Sequence, residues 1–266
     1  AVIVGAAMTN ALAIAEKEID AVKIVFSGAG SAAIACANML IDLGAKKENV
    51  FMFDSVGLLT RQRLAELNKY KEKFAQEKKQ TLAEAMRDAD VFIGVSKGGI
   101  ISGDELRLMA AQPIVFAMAN PVPEISWVDA KAARADIIMA TGRSDFPNQV
   151  NNVLCFPFVF RGSLDVRAVK INKQMMLAAV KAIAALAREP VVQEVVDIYQ
   201  KNFVFGTEYI LPKPFDPRLL TRVASSVAKA AIDSGVAAQP IDDFENYEKY
   251  LGDLSKRLAK GEYVGN

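Results

Sequence analysis

The feature that most constrains this chain is a glycine-rich turn between a predicted strand and a predicted helix. Residues 22–33 read Val-Lys-Ile-Val-Phe-Ser-Gly-Ala-Gly-Ser-Ala-Ala. In such a unit Gly28 permits the tight turn, Gly30 lets a pyrophosphate approach the backbone, and Ala33 keeps the helix close to the sheet. The helix N-terminus also offers free N–H groups to phosphate. The motif predicts a dinucleotide site formed by Gly28, Ala29, Gly30, Ser31, Ala32 and Ala33.

An acidic residue follows the turn at the spacing of a ribose-binding carboxylate. Asp54 ends the apolar run Val50-Phe-Met-Phe and lies 24 positions after Gly30, close to the usual offset of about 20 residues. Arg61 and Arg63 follow, either as candidates for the 2′-phosphate of NADP or as solvated loop charges. The alternative for the whole motif is a glycine turn that only packs a helix against a sheet.

Composition argues against several other classes of protein. The 266 residues are 52% hydrophobic and 24% charged, which suits a globular protein with a substantial core. The net charge of +1 argues against nucleic acid or an anionic membrane as the main partner. No apolar run approaches the length of a transmembrane helix. Cys36 and Cys155 lie among apolar neighbours, so we expect reduced thiols in a cytoplasmic protein.

Histidine is absent from the chain. Acid–base chemistry must therefore come from other residue types or from outside this chain. The predicted helix over residues 2–18 opens without a polar cap, and we expect that further sequence precedes it in the parent protein.

Short apolar strands alternate with helices through the first part of the chain, which predicts an α/β fold with a doubly wound, parallel, Rossmann-like sheet. Capping boxes begin at Thr81 and Ser102, and a charged, helical segment is predicted to end near Lys79. From Val153 the pattern becomes helical, with a polar tail over residues 259–266. We expect an NAD(P)-binding domain over residues 1–165 and a helical extension over 166–266 that packs on it.

Three loops follow predicted strands and should meet at the edge that carries the glycine turn, namely residues 96–99, 120–124 and 143–152. Ser96 in the first loop is a candidate cofactor contact. Asn120 and Asn152 can each donate and accept hydrogen bonds, which suits a hydroxy acid, its keto product or the carboxamide of nicotinamide. Alternatively, Asn120 and the pair Asn151-Asn152 cap turns or helices.

Several longer stretches carry a family resemblance. They are Ser-Gly-Ala-Gly-Ser-Ala-Ala-Ile-Ala, Ala-Asn120-Pro-Val-Pro-Glu, Thr141-Gly-Arg-Ser-Asp-Phe-Pro-Asn-Gln-Val-Asn-Asn and Phe205-Gly-Thr-Glu-Tyr-Ile-Leu-Pro-Lys-Pro-Phe-Asp-Pro. Together they resemble the cofactor-binding domain of bacterial malic enzymes, above all the large NADP-dependent type in which a phosphotransacetylase-like domain follows. The resemblance covers nearly the whole chain.

The resemblance implies oxidation of L-malate and decarboxylation to pyruvate and CO2, with NADP or NAD as cofactor and Mg²⁺ or Mn²⁺ in the complete enzyme. It matches Gly28–Ala33 and Asp54 to the cofactor site, and Asn120 and Asn152 to substrate binding. It places the catalytic and metal-binding residues before Ala1, so we expect none in this chain, which alone should be inactive. We also expect a missing N-terminal catalytic domain and a homo-oligomer. The alternatives are a non-catalytic dinucleotide-binding or assembly module, and another Rossmann dehydrogenase for an amino or hydroxy acid.

Overall fold

Five parallel strands form a single sheet in the computed structural model, which describes residues 1–262. The strands are β1 (Ile24–Ser27), β2 (Val50–Phe53), β3 (Val91–Gly94), β4 (Ile114–Ala117) and β5 (Ile138–Thr141). Their order across the sheet is β2-β1-β3-β4-β5. Nearly every strand residue is buried, as expected of a parallel sheet covered on both faces. The predicted doubly wound fold is confirmed.

The register brings the carboxyl ends of the central strands level with one another. Ser27, the last residue of β1, pairs with Phe53 of β2 and with Gly94 of β3. Because β1 lies between the two strands that follow it in sequence, the chain reverses direction across the sheet at β1 and β3. This reversal opens the crevice in which doubly wound sheets bind ligands.

One helix precedes the sheet and four lie between its strands. They are α1 (Val2–Ile14), α2 (Ser31–Asp42), α3 (Leu82–Met86), α4 (Gly103–Leu108) and α5 (Trp127–Ala133). Both predicted capping boxes are present, with Thr81 and Glu84 exchanging side-chain and backbone hydrogen bonds at α3, and Ser102 and Glu105 doing so at α4. These reciprocal bonds satisfy N–H groups that a helix start leaves free.

The predicted charged helix before Lys79 is wrong. This part of the chain instead forms 3-10 turns at Arg61–Glu66 and Glu72–Phe74. Between them the Asn68 side chain accepts the backbone N–H groups of Tyr70 and Lys71, at 3.0 and 3.1 Å. A local side-chain acceptor of this kind offers the backbone an alternative to the helical pattern.

Within residues 1–262, five helices follow the sheet. They are α6 (Phe156–Asp165), α7 (Lys173–Arg188), α8 (Gln193–Tyr199), α9 (Arg218–Asp233) and α10 (Phe244–Ala259). Helix α9 packs against α6, α7 and α10. A Cβ added at Gly162 of α6 would lie 2.3 Å from the carbonyl oxygen of Ala224, so glycine is needed for the close approach to α9.

The chain divides into two compact units. The first contains Ala1, Ile3–Val150 and Gly206–Glu208, and the second contains Val2, Asn151–Phe205 and the residues from Tyr209 onward. Helix α6 belongs to the second unit because it packs on α9, whereas the sequence placed it in the domain over residues 1–165. The assignment of 1–165 and 166–266 as domains stays a prediction. In the predicted tail, residues 263–266 lie outside the described residues.

Candidate functional site in the first unit

A cleft of about 1000 Å³ opens at the carboxyl ends of β1, β2 and β3. Its wall brings together most of the predicted cofactor residues: Gly28, Ala29, Gly30, Ser31, Asp54 and Ser96. Two other motif residues belong to α2, where Ala33 is fully buried and Ala32 is exposed. The cleft therefore lies where the glycine motif and the sheet topology predicted a ligand.

The two glycines of the turn have different conformations. Gly28 has a φ of +116°, which side chains other than glycine rarely adopt. A Cβ there would also lie 3.1 Å from the carbonyl oxygen of Val95 and 3.2 Å from the Cβ of Ser96. Gly30 has an ordinary φ of −82°, and a Cβ at Gly30 would meet no heavy atom within 4 Å. Gly28 is therefore required by the fold, whereas Gly30 leaves the cleft open.

The start of α2 is suited to an anion. Gly30 is the N-cap, no side chain caps the helix, and its first turn contains no acidic residue. The first N–H groups of a helix have no partner within the helix and carry a partial positive charge. A phosphate at this end of the cleft would accept hydrogen bonds from them.

Asp54 is held by its own neighbours. Its Oδ1 accepts the backbone N–H groups of Val56 and Gly57, and Arg63 donates to both carboxylate oxygens. Burial alone would raise the pKa of Asp54, but the hydrogen bonds from Arg63 and the two backbone N–H groups outweigh it and lower the pKa. Lys71 Nζ lies 3.4 Å from Oδ2. The carboxylate is therefore largely occupied by donors of this chain.

The two arginines that follow Asp54 differ in position. Arg63 is 16% exposed in its side chain and pairs with Asp54. Arg61 is 64% exposed, pairs with Glu77 at 2.8 Å and lies outside the wall of the cleft.

Lys71 lines the cleft together with Asn68 and Tyr70. The sequence did not predict these three residues as site residues, because the charge pattern favoured a helix there.

The side of the cleft opposite Asp54 is built from β1 and β3. The hydroxyl oxygens of Ser27 and Ser96 lie 2.9 Å apart, within hydrogen-bonding distance. Lys97, which follows Ser96, also lines the cleft. The cleft thus runs from the residues around Asp54, past the glycine turn, to the serine pair.

Comparison with known proteins shows the family of this chain. Residues 1–200 match the family described as malic enzyme, NAD binding domain. The chain belongs to this malic enzyme family. The match therefore does not favour another kind of Rossmann dehydrogenase.

Individual relatives agree with the family match. The NADP-dependent malic enzyme of Halomonas elongata is 53% identical over 90% of this chain and 57% of its own length. The NAD-dependent malic enzyme of Rhizobium meliloti is 50% identical over 99% of this chain and 34% of its own length. A crystal structure of malic enzyme from Pyrococcus horikoshii superposes with a TM-score of 0.85 at 36% identity, over 98% of this chain and 59% of that one. The chain spans between a third and three fifths of these malic enzymes.

The two asparagines implied by the malic enzyme resemblance lie on different units. Asn120 is exposed in the first unit, in the loop after β4. Asn152 is exposed in the second unit, where it begins a short 3-10 turn. Asn151 caps this turn, because its side-chain oxygen accepts the N–H of Val153 at 3.0 Å. The alternative prediction, that these asparagines cap a turn, therefore holds for Asn151. Neither Asn120 nor Asn152 is part of the cleft wall.

Residues 1–262 contain no group of three or more His, Cys, Asp or Glu side chains that could hold a metal ion. None of the helices within residues 1–262 has the length and apolar character that crossing a membrane requires.

Proposed function

We propose that this chain is the dinucleotide-binding part of a malic enzyme that oxidises and decarboxylates L-malate with NADP. The observation that carries the proposal is the cleft, in which an uncapped helix start lies between a lysine-bearing wall and a serine pair. Family membership supplies the reaction class, because the relatives bear the names NADP-dependent or NAD-dependent malic enzyme.

The cleft suggests how a dinucleotide would lie. Its pyrophosphate would accept hydrogen bonds at the start of α2, beside Gly30 and Ser31. The adenine-side ribose would then lie near Asp54 and Lys71, and the nicotinamide would extend towards Ser96. This arrangement follows the order of the strands, because Asp54 follows β2, the glycine turn follows β1 and Ser96 follows β3.

Preference for NADP over NAD is supported by the charges around Asp54. A free carboxylate at this position would bind a ribose diol and repel a 2′-phosphate. Here the Asp54 carboxylate is paired bidentately with Arg63, while Lys71 makes only a long contact to it and faces the cleft. Lys71 can therefore offer its ammonium group to a 2′-phosphate at little cost to the Asp54 pair.

Catalysis requires more than this chain offers. When bound, NADP supplies the acceptor for the hydride from C2 of malate. The residues of this chain would bind and orient the cofactor, and Asn120 and Asn152 would hydrogen-bond the substrate. Neither asparagine can act as a proton shuttle near neutral pH, and the chain has no histidine. We therefore place the proton-transferring and metal-binding groups in an N-terminal catalytic part of the parent protein.

The remaining partners are proposed on the same basis. They are L-malate and pyruvate as substrate and product, Mg²⁺ or Mn²⁺ in the complete enzyme, and further copies of the chain in a cytoplasmic homo-oligomer. In the Rhizobium meliloti relative about two thirds of the length lies outside the match, which leaves room for a catalytic part.

The test compares binding with turnover. The purified chain is titrated with NADP⁺ and NAD⁺ by calorimetry, and is then incubated with malate, NADP⁺ and Mn²⁺ while reduced cofactor is followed by absorbance. We expect NADP⁺ to bind more tightly than NAD⁺, and turnover to begin only after the N-terminal part of a relative is added. Absence of dinucleotide binding would refute the assignment of the cleft. Robust turnover by the chain alone would show that the catalytic groups are misplaced.

A further inference from the structure

Glu124 is a fully buried acidic residue at the end of the loop that follows β4. Its Oε2 accepts the backbone N–H of Ala119 at 3.0 Å, and its Oε1 accepts that of Ser96 at 3.2 Å. Ala119 lies in the same loop as Glu124, whereas Ser96 lies in the loop after β3. One carboxylate therefore joins the two loops at the carboxyl end of the sheet.

The backbone around Glu124 is shaped to accept its side chain. Gly94 ends β3, and a Cβ there would lie 2.1 Å from the carboxyl carbon of Glu124. The two loops also bond directly, with the N–H of Gly99 donating to the carbonyl of Pro123 at 3.0 Å. A Cβ at Gly98 would lie 2.5 Å from the carbonyl oxygen of Val122. The loops are thus packed backbone against backbone, and any shift of one moves the other.

Burying this carboxyl has an energetic cost. Burial raises the pKa of Glu124, although the N–H groups of Ala119 and Ser96 act in the opposite direction. A buried carboxyl whose partners are backbone N–H groups specifies where those N–H groups lie, because each would otherwise be left without an acceptor. Replacing it therefore changes the position of the backbone as well as stability.

The loops that Glu124 joins lead to the candidate cofactor site. Ser96 lines the cleft and its hydroxyl meets that of Ser27, directly before Gly28. Asn120 directly follows Ala119. We propose that Glu124 is a positioning residue that fixes Ser96 at the nicotinamide side of the dinucleotide site and holds Asn120 in the adjoining loop. This role rests on the proposed function, because it requires that the cleft bind a dinucleotide.

The test separates the two halves of the cofactor. NADP⁺ spans the whole cleft, whereas adenosine 2′,5′-bisphosphate carries only the adenine half and its phosphates. In Glu124→Gln the amide nitrogen cannot accept a hydrogen bond, so one of the two backbone N–H groups loses its partner. We expect the affinity for NADP⁺ to fall about tenfold and the affinity for the bisphosphate to remain within about twofold of the unmodified chain.

A second variant displaces the carboxylate without removing it. In Gly94→Ala the new methyl group occupies the space of the Glu124 carboxyl, so this variant should show the same loss for NADP⁺ alone. Glu105→Gln is the matched control, because Glu105 is a capping-box glutamate of the same unit that lies outside the cleft wall. It should alter neither affinity. If Glu124→Gln does not fold, Gly94→Ala combined with Glu124→Ala places a methyl group in the vacated space and should give the same result.

Each result supports or overturns either the positioning role of Glu124 or the proposed function. A folded Glu124 or Gly94 variant that binds both ligands like the unmodified chain would overturn the positioning role. So would an equal loss of affinity for both ligands, since that is what a general loss of structure produces. If the unmodified chain binds neither ligand, the proposed function itself fails, and that result is distinct from the first two.

Discussion

Arg63 donates to both carboxylate oxygens of Asp54, from Nη1 to Oδ1 at 3.1 Å and from Nη2 to Oδ2 at 3.0 Å. The same guanidinium also donates to the backbone carbonyl of Leu58 at 3.1 Å. The acid expected to bind ribose is thus an internal counter-ion in this chain. Because Arg63 neutralises the charge of the Asp54 carboxylate, Lys71 remains as a cation near Asp54 that faces the cleft.

Lys71→Gln should weaken NADP⁺ binding about tenfold, because one charge-assisted contact to the 2′-phosphate is lost. NAD⁺ has no 2′-phosphate, so its affinity should stay within about twofold. Arg61→Gln is the control, since Arg61 pairs with Glu77 outside the cleft wall. Calorimetric titration of each variant with both cofactors measures this, and equal weakening of NADP⁺ and NAD⁺ by Lys71→Gln would contradict the assignment.

Arg63→Gln should release Asp54 and move cofactor preference towards NAD⁺, because the freed carboxylate can bind a ribose diol and repels a phosphate. It should also lower the free energy of unfolding by about 1.5–3 kcal/mol, the usual value for hydrogen bonds to a charged group. Urea denaturation measures the second effect. Glu66→Gln removes the exposed partner of Arg63 and leaves the Asp54 pair, so it should change stability by less than about 1 kcal/mol. An unchanged cofactor ratio in folded Arg63→Gln would refute this account of Asp54.

Gly30→Val should abolish detectable dinucleotide binding while the fold survives. The ordinary φ of Gly30 accepts a side chain, and the surrounding space is open, so the new methyl groups would fill the path of the pyrophosphate. Gly28→Ala is the contrasting variant, because its positive φ predicts a loss of stability of about 1 kcal/mol or more. Thermal unfolding and calorimetry together separate the two effects. Normal cofactor affinity in folded Gly30→Val would remove the turn from the site.

Asp136 should contribute to the acid sensitivity of the fold. Hydrogen bonding to Arg134 lowers the pKa of Asp136 to about 2. A depressed pKa means stability that is present above the unfolded value of about 3.9 and is lost as the pH falls towards 2. Since the Asp136 side chain is 40% exposed, screening should limit the effect to under about 1 kcal/mol.

Asp136→Asn should therefore reduce stability at pH 7 and flatten its decline between about pH 4 and pH 2. Asp145→Asn is a matched control, because Arg143 and Asp145 have the same spacing along the chain but are about half exposed. It should have the smaller effect. Urea denaturation across this pH range measures both variants, and identical pH dependence in the unmodified chain and Asp136→Asn would rule out the contribution.

Local chemistry explains what the sequence could predict. The capping boxes at Thr81 and Ser102 and the glycine turn depend on residues within a few positions of one another, and the apolar strands show their burial in their composition. The segment around Asn68 shows where prediction from the sequence fails. The Asn68 side chain bonds the backbone into a turn, whereas the charge pattern favoured a helix.

The contacts that define the candidate site depend on residues distant in sequence. Asp54 and Lys71 are 17 positions apart and are joined by turns that pattern alone does not predict. Ser27 and Ser96 meet only because β1 and β3 are neighbours in the sheet. Spacing could place each of these residues near the edge of the sheet, but their mutual distances required the fold.

The fit between Gly94 and Glu124 has an evolutionary consequence. Glycine at position 94 leaves the space that the Glu124 carboxyl fills, whereas a larger residue at 94 excludes a glutamate that folds back over it. Among related sequences the two positions should therefore change together, and position 124 should change first. A lineage that lost the glutamate could then gain a side chain at position 94. A single substitution could no longer restore the glutamate, because the side chain at 94 would occupy the space of its carboxyl group.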